Sequence, residues 1–109
     1  MPQIWDVPAD GPLLSSENDA RDIIGATYGS GAELIAIPVA RLAPAFWHLR
    51  TGLAGAFIQK FVTYGLRLAI VGDISAHTAR SKPLADFVLE SNRRGGELVF
   101  VSSRESLEG

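Results

Sequence analysis

The hydrophobic positions of this chain form short runs, separated by segments in which apolar residues recur at helical spacing. Each run is only a few residues long and is bounded by Gly, Pro or polar turn residues, which is typical of strands. The predicted strands are residues 4–7, 33–37, 66–71 and 98–101. Five of the six residues at 66–71 are apolar, which predicts a central strand buried on both faces. Asp10-Gly11 signals a turn, so Leu13 and Leu14 predict a returning strand that forms an antiparallel edge.

Helical spacing predicts four helices between and after these strands. The first begins at Ser16, which is followed three residues later by an Asp in a pattern that resembles a capping box. A long helix is expected over residues 44–64 and another over 83–93, with a polar loop at 75–81 between the preceding strand and the latter helix. Ser102 opens a second capping-box pattern and predicts a short last helix.

These elements give the order β-β-α-β-α-β-α-β-α within a single domain of 109 residues. Strands that are separated by helices imply right-handed crossover connections. We therefore expect an α/β fold with a mixed, mostly parallel sheet that is covered by helices.

Composition excludes several classes of function. The chain has no cysteine, so it has neither disulfides nor thiolate chemistry. A net charge of -2 argues against nucleic-acid binding, which needs clustered positive charge. No apolar run is long enough to span a bilayer, and the N-terminus lacks the apolar stretch of a signal peptide. These features predict a cytoplasmic protein with no membrane association.

The segments TGLAGAFIQKFVTYGLRLAIVGDIS (residues 51–75) and SKPLADFVLESN (residues 81–92) resemble a bacterial family catalogued as domain of unknown function 4180. Members of that family look like TGLAGE-I-x-QKF, then IAIVGDFS, then SKPL-x-DFI, so the resemblance covers about half the chain closely. It implies a fold similar to SpoIIAA-like and STAS domains, a group that includes anti-sigma-factor antagonists. It implies no particular activity, because the family has none assigned.

The chain departs from the family pattern at three places. Ala56 stands where the family usually has Glu, and His48 stands where it often has Asp. The loop before Ser81 is also longer than usual. We therefore carry no acid or base role over to either position.

A polar rim follows the predicted central strand, and it is the first candidate ligand site. Ligands of open α/β sheets bind outside the carboxyl ends of the strands, where this rim is expected. Its members are Asp73, Ser75, His77, Thr78, Arg80 and Lys82. They suit an anion or a small polar ligand, although ordinary turn and capping hydrogen bonds are the commoner reason for the same residue types.

A stripe of small residues on the long predicted helix is a candidate interface. Two interior glycines weaken a helix by about 1 kcal/mol each relative to alanine, so they need a reason. The stripe and the apolar residues beside it are Trp47, Thr51, Gly52, Gly55, Ile58 and Gln59. The alternatives are close packing against the sheet or a neighbouring helix, approach of a second subunit, or approach of a ligand.

Two sharper interpretations have less support. Thr51-Gly52-Leu53 resembles the triplet that carries a regulatory phosphate in STAS proteins, but Arg50 replaces the usual Asp and Thr51 is expected inside a helix. His48 and His77 lack a Glu partner at ligand spacing, so no metal or other cofactor is expected.

The sequence therefore predicts a non-enzymatic regulatory or protein-interaction module. The expected partners are a second copy of the chain, forming a homodimer, and a protein of unknown identity. The alternative is a small-molecule or anion-binding protein, or an enzyme, that uses the rim at residues 73–82.

Overall fold

The computed structural model describes residues 3–107, which form one four-stranded sheet beside a layer of helices. The strands are β1 (Ile4–Asp6), β2 (Leu34–Pro38), β3 (Arg67–Val71) and β4 (Leu98–Val101). They lie in chain order, and every neighbouring pair is parallel. The α/β class and the four apolar runs are thus confirmed, whereas the mixed sheet is wrong because all four strands run the same way.

The helices are α1 (Glu17–Thr27), α2 (Leu53–Thr63), α3 (Ser75–Arg80) and α4 (Lys82–Arg94). Right-handed crossovers between strands in chain order bring the connecting helices to one face of the sheet. In agreement with this rule, α1 packs against α2, and a groove separates α2 from α4 on the same side.

The core lies between this helix layer and two rungs of the sheet. Ile35, Leu68 and Leu98 form one rung across the three strands, and Ile37, Ile70 and Phe100 form the next. Leu68, Ala69 and Ile70 have no exposed surface, which confirms that β3 is a central strand buried on both faces. The helix layer contributes the buried side chains Ala20, Ile24, Phe46, Phe57, Phe61 and Leu84.

The back face of the sheet is crossed by the chain that follows β4. Successive side chains of a strand point to opposite faces, so Asp6, Ala36 and Ala69, which share the intervening rung, face away from the core. Arg104, in the 3₁₀ turn Arg104–Leu107, donates from Nε to Asp6 Oδ1 at 2.6 Å. Because β4 and β1 are the two edges of the sheet, this ion pair holds the C-terminal turn across the full width of the back face.

The predicted returning strand at Leu13 and Leu14 is wrong. Leu14 makes only an isolated parallel bridge to Leu42. The guanidinium of Arg41 instead donates to the carbonyl oxygens of Pro8, Asp10 and Pro12 in this segment. A Cβ at Gly11 would lie 2.8 Å from the Arg41 Cζ, so this residue must be small for the loop to close around the guanidinium.

The long helix predicted over residues 44–64 is divided into three pieces. Two 3₁₀ turns, Pro44–Trp47 and Leu49–Thr51, precede α2. Gly52 has a φ of +75°, a left-handed conformation that ends the second turn and re-aims the chain into α2. Apolar spacing continues through the break because all three pieces face the same core, which is why the sequence pattern concealed it.

Capping residues mark the other helix boundaries. Ser16 and Asp19 form the predicted capping box at the start of α1, and Gly95 ends α4 as expected. The segment predicted as a polar loop at 75–81 is instead mostly α3, and Ser81 caps α4 by accepting from the Leu84 N–H at 3.3 Å.

We expect Ala69→Asp to lower the free energy of unfolding by about 3 kcal/mol or more, because it places a charge where the side chain has no access to water. Urea unfolding followed by circular dichroism measures this loss. Ala9→Asp, in an exposed bend, is the matched control and should be close to neutral. Equal unfolding midpoints for the two variants would contradict the placement of β3.

Candidate functional site

A cleft of about 560 Å³ lies where β3 and β4 end, beside α3 and α4. We call it the carboxyl cleft. Its polar lining consists of Asp73, Ser75, Thr78, Asn92 and Ser102, and its apolar lining of Ile74, Ala85, Val88, Leu89, Phe100 and Val101. Three residues of the rim predicted from the sequence therefore meet in one depression.

Asp73 is held by the turn that starts α3. Its Oδ1 accepts the Ser75 backbone N–H at 2.9 Å, an Asx-type contact that fixes the carboxylate at the mouth of the cleft. This backbone hydrogen bond, assisted by the Ser75 hydroxyl, lowers the pKa of Asp73 below its ordinary value of 3.8. The side chain is therefore ionised at neutral pH.

The other three predicted rim residues lie outside the carboxyl cleft. His77 stacks on the ring of Trp47, with centroids 4.4 Å apart and planes 8° from parallel. Lys82 pairs with Asp86 on the exposed side of α4, and Arg80 is exposed at the end of α3. His77 and Arg80 are separated from the cleft because residues 75–80 form a helix. Successive side chains of a helix are rotated by about 100° and therefore point in different directions around its axis.

Asn92 belongs to the cleft, and sequence reasoning did not identify it. Its Oδ1 accepts the Phe100 backbone N–H at 2.8 Å, which satisfies an outward-facing group on the edge strand β4. In the sequence, Asn92 is a polar residue near the end of an amphipathic helix. Many ordinary solvent-exposed residues fit the same description, so the sequence does not single it out.

A second depression of about 360 Å³ lies between α2 and α4. We call it the α2–α4 groove. One wall is formed by Leu49, Gly52, Ala54, Gly55 and Ile58. The other wall is formed by Phe87, Ser91 and Arg94, with Glu97 and Leu98 at the start of β4. Three residues of the predicted interface, Gly52, Gly55 and Ile58, thus share one surface.

The structure corrects the expected positions of several interface residues. Trp47 is only 5% exposed and packs against Phe46 and His77, so it does not present an apolar surface to a partner. Gln59 is exposed on α2 outside the groove. Gly52 is a helix boundary rather than an interior residue, because its left-handed conformation interrupts the predicted helix.

Gly55 is interior to α2, and a Cβ built on it meets no atom within 4 Å. The interpretation in which this glycine packs closely against the sheet is therefore wrong. Its missing side chain opens the α2–α4 groove to solvent instead.

Thr51 lies immediately before α2 and not inside a helix. Its hydroxyl lies 2.8 Å from the Ala45 carbonyl oxygen and 2.9 Å from that of His48, and its oxygen accepts the Leu53 N–H at 3.2 Å. The side chain thus stabilises the break between the 3₁₀ turns and α2.

Within residues 3–107, no group of three or more His, Asp or Glu side chains is placed to hold a metal ion. In the same part of the chain, no helix has the length and apolar character needed to cross a membrane.

The parallel sheet and the helices that cover it define a two-layer α/β protein. The chain belongs to the family described as domain of unknown function (DUF4180), whose sequence model matches residues 2–109. No curated protein and no solved structure matches the chain significantly.

We expect Asp73→Asn to be less stable than the wild-type protein at neutral pH, since the amide oxygen can still accept the Ser75 N–H but carries no charge. A lowered pKa in the folded state stabilises the protein above pH 3.8, and this contribution is lost as the pH falls through the folded-state pKa. The gap in unfolding free energy between the two proteins, measured in urea, should therefore close in acid.

Asp73→Ala is the control, because it removes the acceptor itself and should stay destabilised at both pH values. A gap between wild type and Asp73→Asn that is unchanged well below pH 3.8 would contradict this account of Asp73.

Proposed function

We propose that this protein is a non-enzymatic interaction module that forms a homodimer through the α2–α4 groove. The observation that carries the proposal is Gly55, an exposed glycine inside a helix, which lines an apolar groove and whose missing side chain nothing else in the described structure requires. Such a residue costs a helix about 1 kcal/mol relative to alanine. This cost is explained if a second chain packs closely against the helix backbone at Gly55.

The apolar character of the groove supports a protein partner. Leu49, Ile58 and Phe87 are partly buried and pack at the margin of the core, so they leave apolar surface on both walls. Contiguous apolar surface of this kind marks interaction sites more often than catalytic sites.

Charge at one end of the groove favours a second copy of the same chain. Arg94 and Glu97 both line it; Arg94 also pairs with Glu90 on the exposed side of α4 at 3.3 Å, whereas Glu97 forms no ion pair within residues 3–107. In a twofold dimer each surface meets itself, so Arg94 of one subunit can face Glu97 of the other twice across the axis. A single surface then provides both the apolar contact and the complementary charges.

The chemistry of the polar residues supports a non-enzymatic role. Asp73 is engaged by the turn before α3, and His77 is stacked on Trp47. Among the described side chains, no Ser or Thr hydroxyl is hydrogen-bonded to a histidine, which is the contact that activates a nucleophile in hydrolases.

The likeness to SpoIIAA-like and STAS domains is part of this proposal and suggests a regulatory role. Its support is local: Thr51-Gly52-Leu53 spans the start of α2, so Thr51 lies beside the N–H groups of a helix start and already accepts one of them. A phosphate on Thr51 would be stabilised there, and it would also break the contacts to Ala45 and His48.

We expect Gly55→Leu to be folded and monomeric, because a leucine side chain has room within its own subunit but occupies the space of a partner. Light scattering at high micromolar concentration measures the mass, and a melting curve confirms folding. Gly25→Leu is the matched control: Gly25 lies inside α1, also has no atom within 4 Å of a built Cβ, and does not line the groove. That variant should remain dimeric.

Charge reversal tests the geometry of the same interface. Glu97→Arg should weaken the dimer, and the double variant Arg94→Glu with Glu97→Arg should restore it. A wild-type protein that is monomeric at high micromolar concentration, or a Gly55→Leu variant that remains dimeric, would refute the proposed interface.

A further inference from the structure

We propose that the carboxyl cleft binds a small organic cation, a primary ammonium group carried on an apolar chain or ring. This site is separate from the α2–α4 groove, so the inference goes beyond the proposed dimer. It also differs from the anion suggested by the residue types of the rim. The fold brings the acidic residue of the rim, Asp73, into the cleft and leaves the two cationic residues, Arg80 and Lys82, outside it.

The charge of the cleft is set by Asp73 alone. The two cations of the predicted rim do not line it, since Arg80 is exposed at the end of α3 and Lys82 pairs with Asp86. Within residues 3–107, Asp73 forms no ion pair, and its hydrogen bonds come from Ser75 alone, whose backbone N–H binds Oδ1. A carboxylate has about four acceptor sites, so acceptor sites remain available to a donor on a ligand.

The lowered pKa of Asp73 keeps this carboxylate negative at neutral pH. An anion would meet repulsion from it and no facing cation. A neutral ligand would only replace the hydrogen bonds that water already donates to the carboxylate.

The apolar side chains that line the cleft favour a ligand with an apolar body. Leu89 is 60% exposed at the cleft although it is a large hydrophobic residue, and Val88 and Val101 beside it are partly exposed. A ligand that covers these side chains removes apolar surface from water. The volume of about 560 Å³ lies within the range of small-molecule sites, roughly 300–1,000 Å³.

Polar groups near Asp73 can orient such a ligand. Asn92 uses Oδ1 for the Phe100 N–H, and its amide nitrogen has no hydrogen-bond partner within the described chain. The Ser102 hydroxyl also lines the cleft. A substituent with an acceptor oxygen on the apolar body would therefore be recognised in addition to the ammonium group.

Three probes of the same shape and different charge test this inference: phenethylamine, 2-phenylethanol and phenylacetate. Binding is followed by titrating each probe into ¹⁵N-labelled protein at neutral pH and recording backbone amide shifts. We expect shifts at Ser75, Thr78, Asn92 and Ser102 with the amine, and about five-fold weaker binding of the alcohol, as suits an exposed charge pair. Phenylacetate should bind more weakly than the alcohol.

Asp73→Asn should remove the preference for the amine over the alcohol while keeping the Ser75 turn. Asp86→Asn, which changes an acidic residue outside the cleft, should preserve it. Equal binding of amine and alcohol to the wild-type protein, shifts confined to residues elsewhere, or an unchanged preference in Asp73→Asn would each overturn the inference. None of these outcomes bears on the dimer, whose test is the mass of Gly55→Leu.

Discussion

Four parallel strands in chain order constrain everything else in this fold, because each right-handed crossover brings its helix to the same side of the sheet. One face of the sheet is therefore buried under α1, α2 and α4, and residues 68–70 of β3 have no exposed surface because they are packed on both sides. The strand order never reverses, so the sheet has no switch point of the kind that creates a central ligand crevice in doubly wound folds. The carboxyl cleft forms instead at the β4 side, between that strand and α3 and α4.

Much of the fold was predictable because local signals agree with the tertiary structure. The strand of residues 98–101, the capping box of Ser16 and the end of α4 at Gly95 depend on neighbouring residues alone. The failures have nonlocal causes. Leu13 and Leu14 are as apolar as a strand, but Arg41 binds the carbonyl groups before them and leaves a single bridge.

The candidate sites were predictable only in part, because residue type identifies polar chemistry but not the direction in which a side chain points. Asp73 was found from its position after a strand, and that position is correct. Its neighbour His77 was assigned to the same site, yet the helical turn of α3 directs it to Trp47. Asn92 and Glu97 line their depressions because the tertiary fold brings them there, and a single sequence carries no specific signal for that.

The ion pair between Arg104 and Asp6 joins residues that are 98 positions apart, so it forms only after all four strands of the sheet have been synthesised. Until Arg104 arrives, the uncharged back rung at Ala36 and Ala69 lacks the turn that crosses it, and it is a surface on which nascent chains can associate. Proteolytic loss of this turn would recreate that incomplete state in the mature protein. Because a partly exposed ion pair contributes at most about 1 kcal/mol, its consequence lies less in the stability of the finished fold than in the order in which the chain completes it.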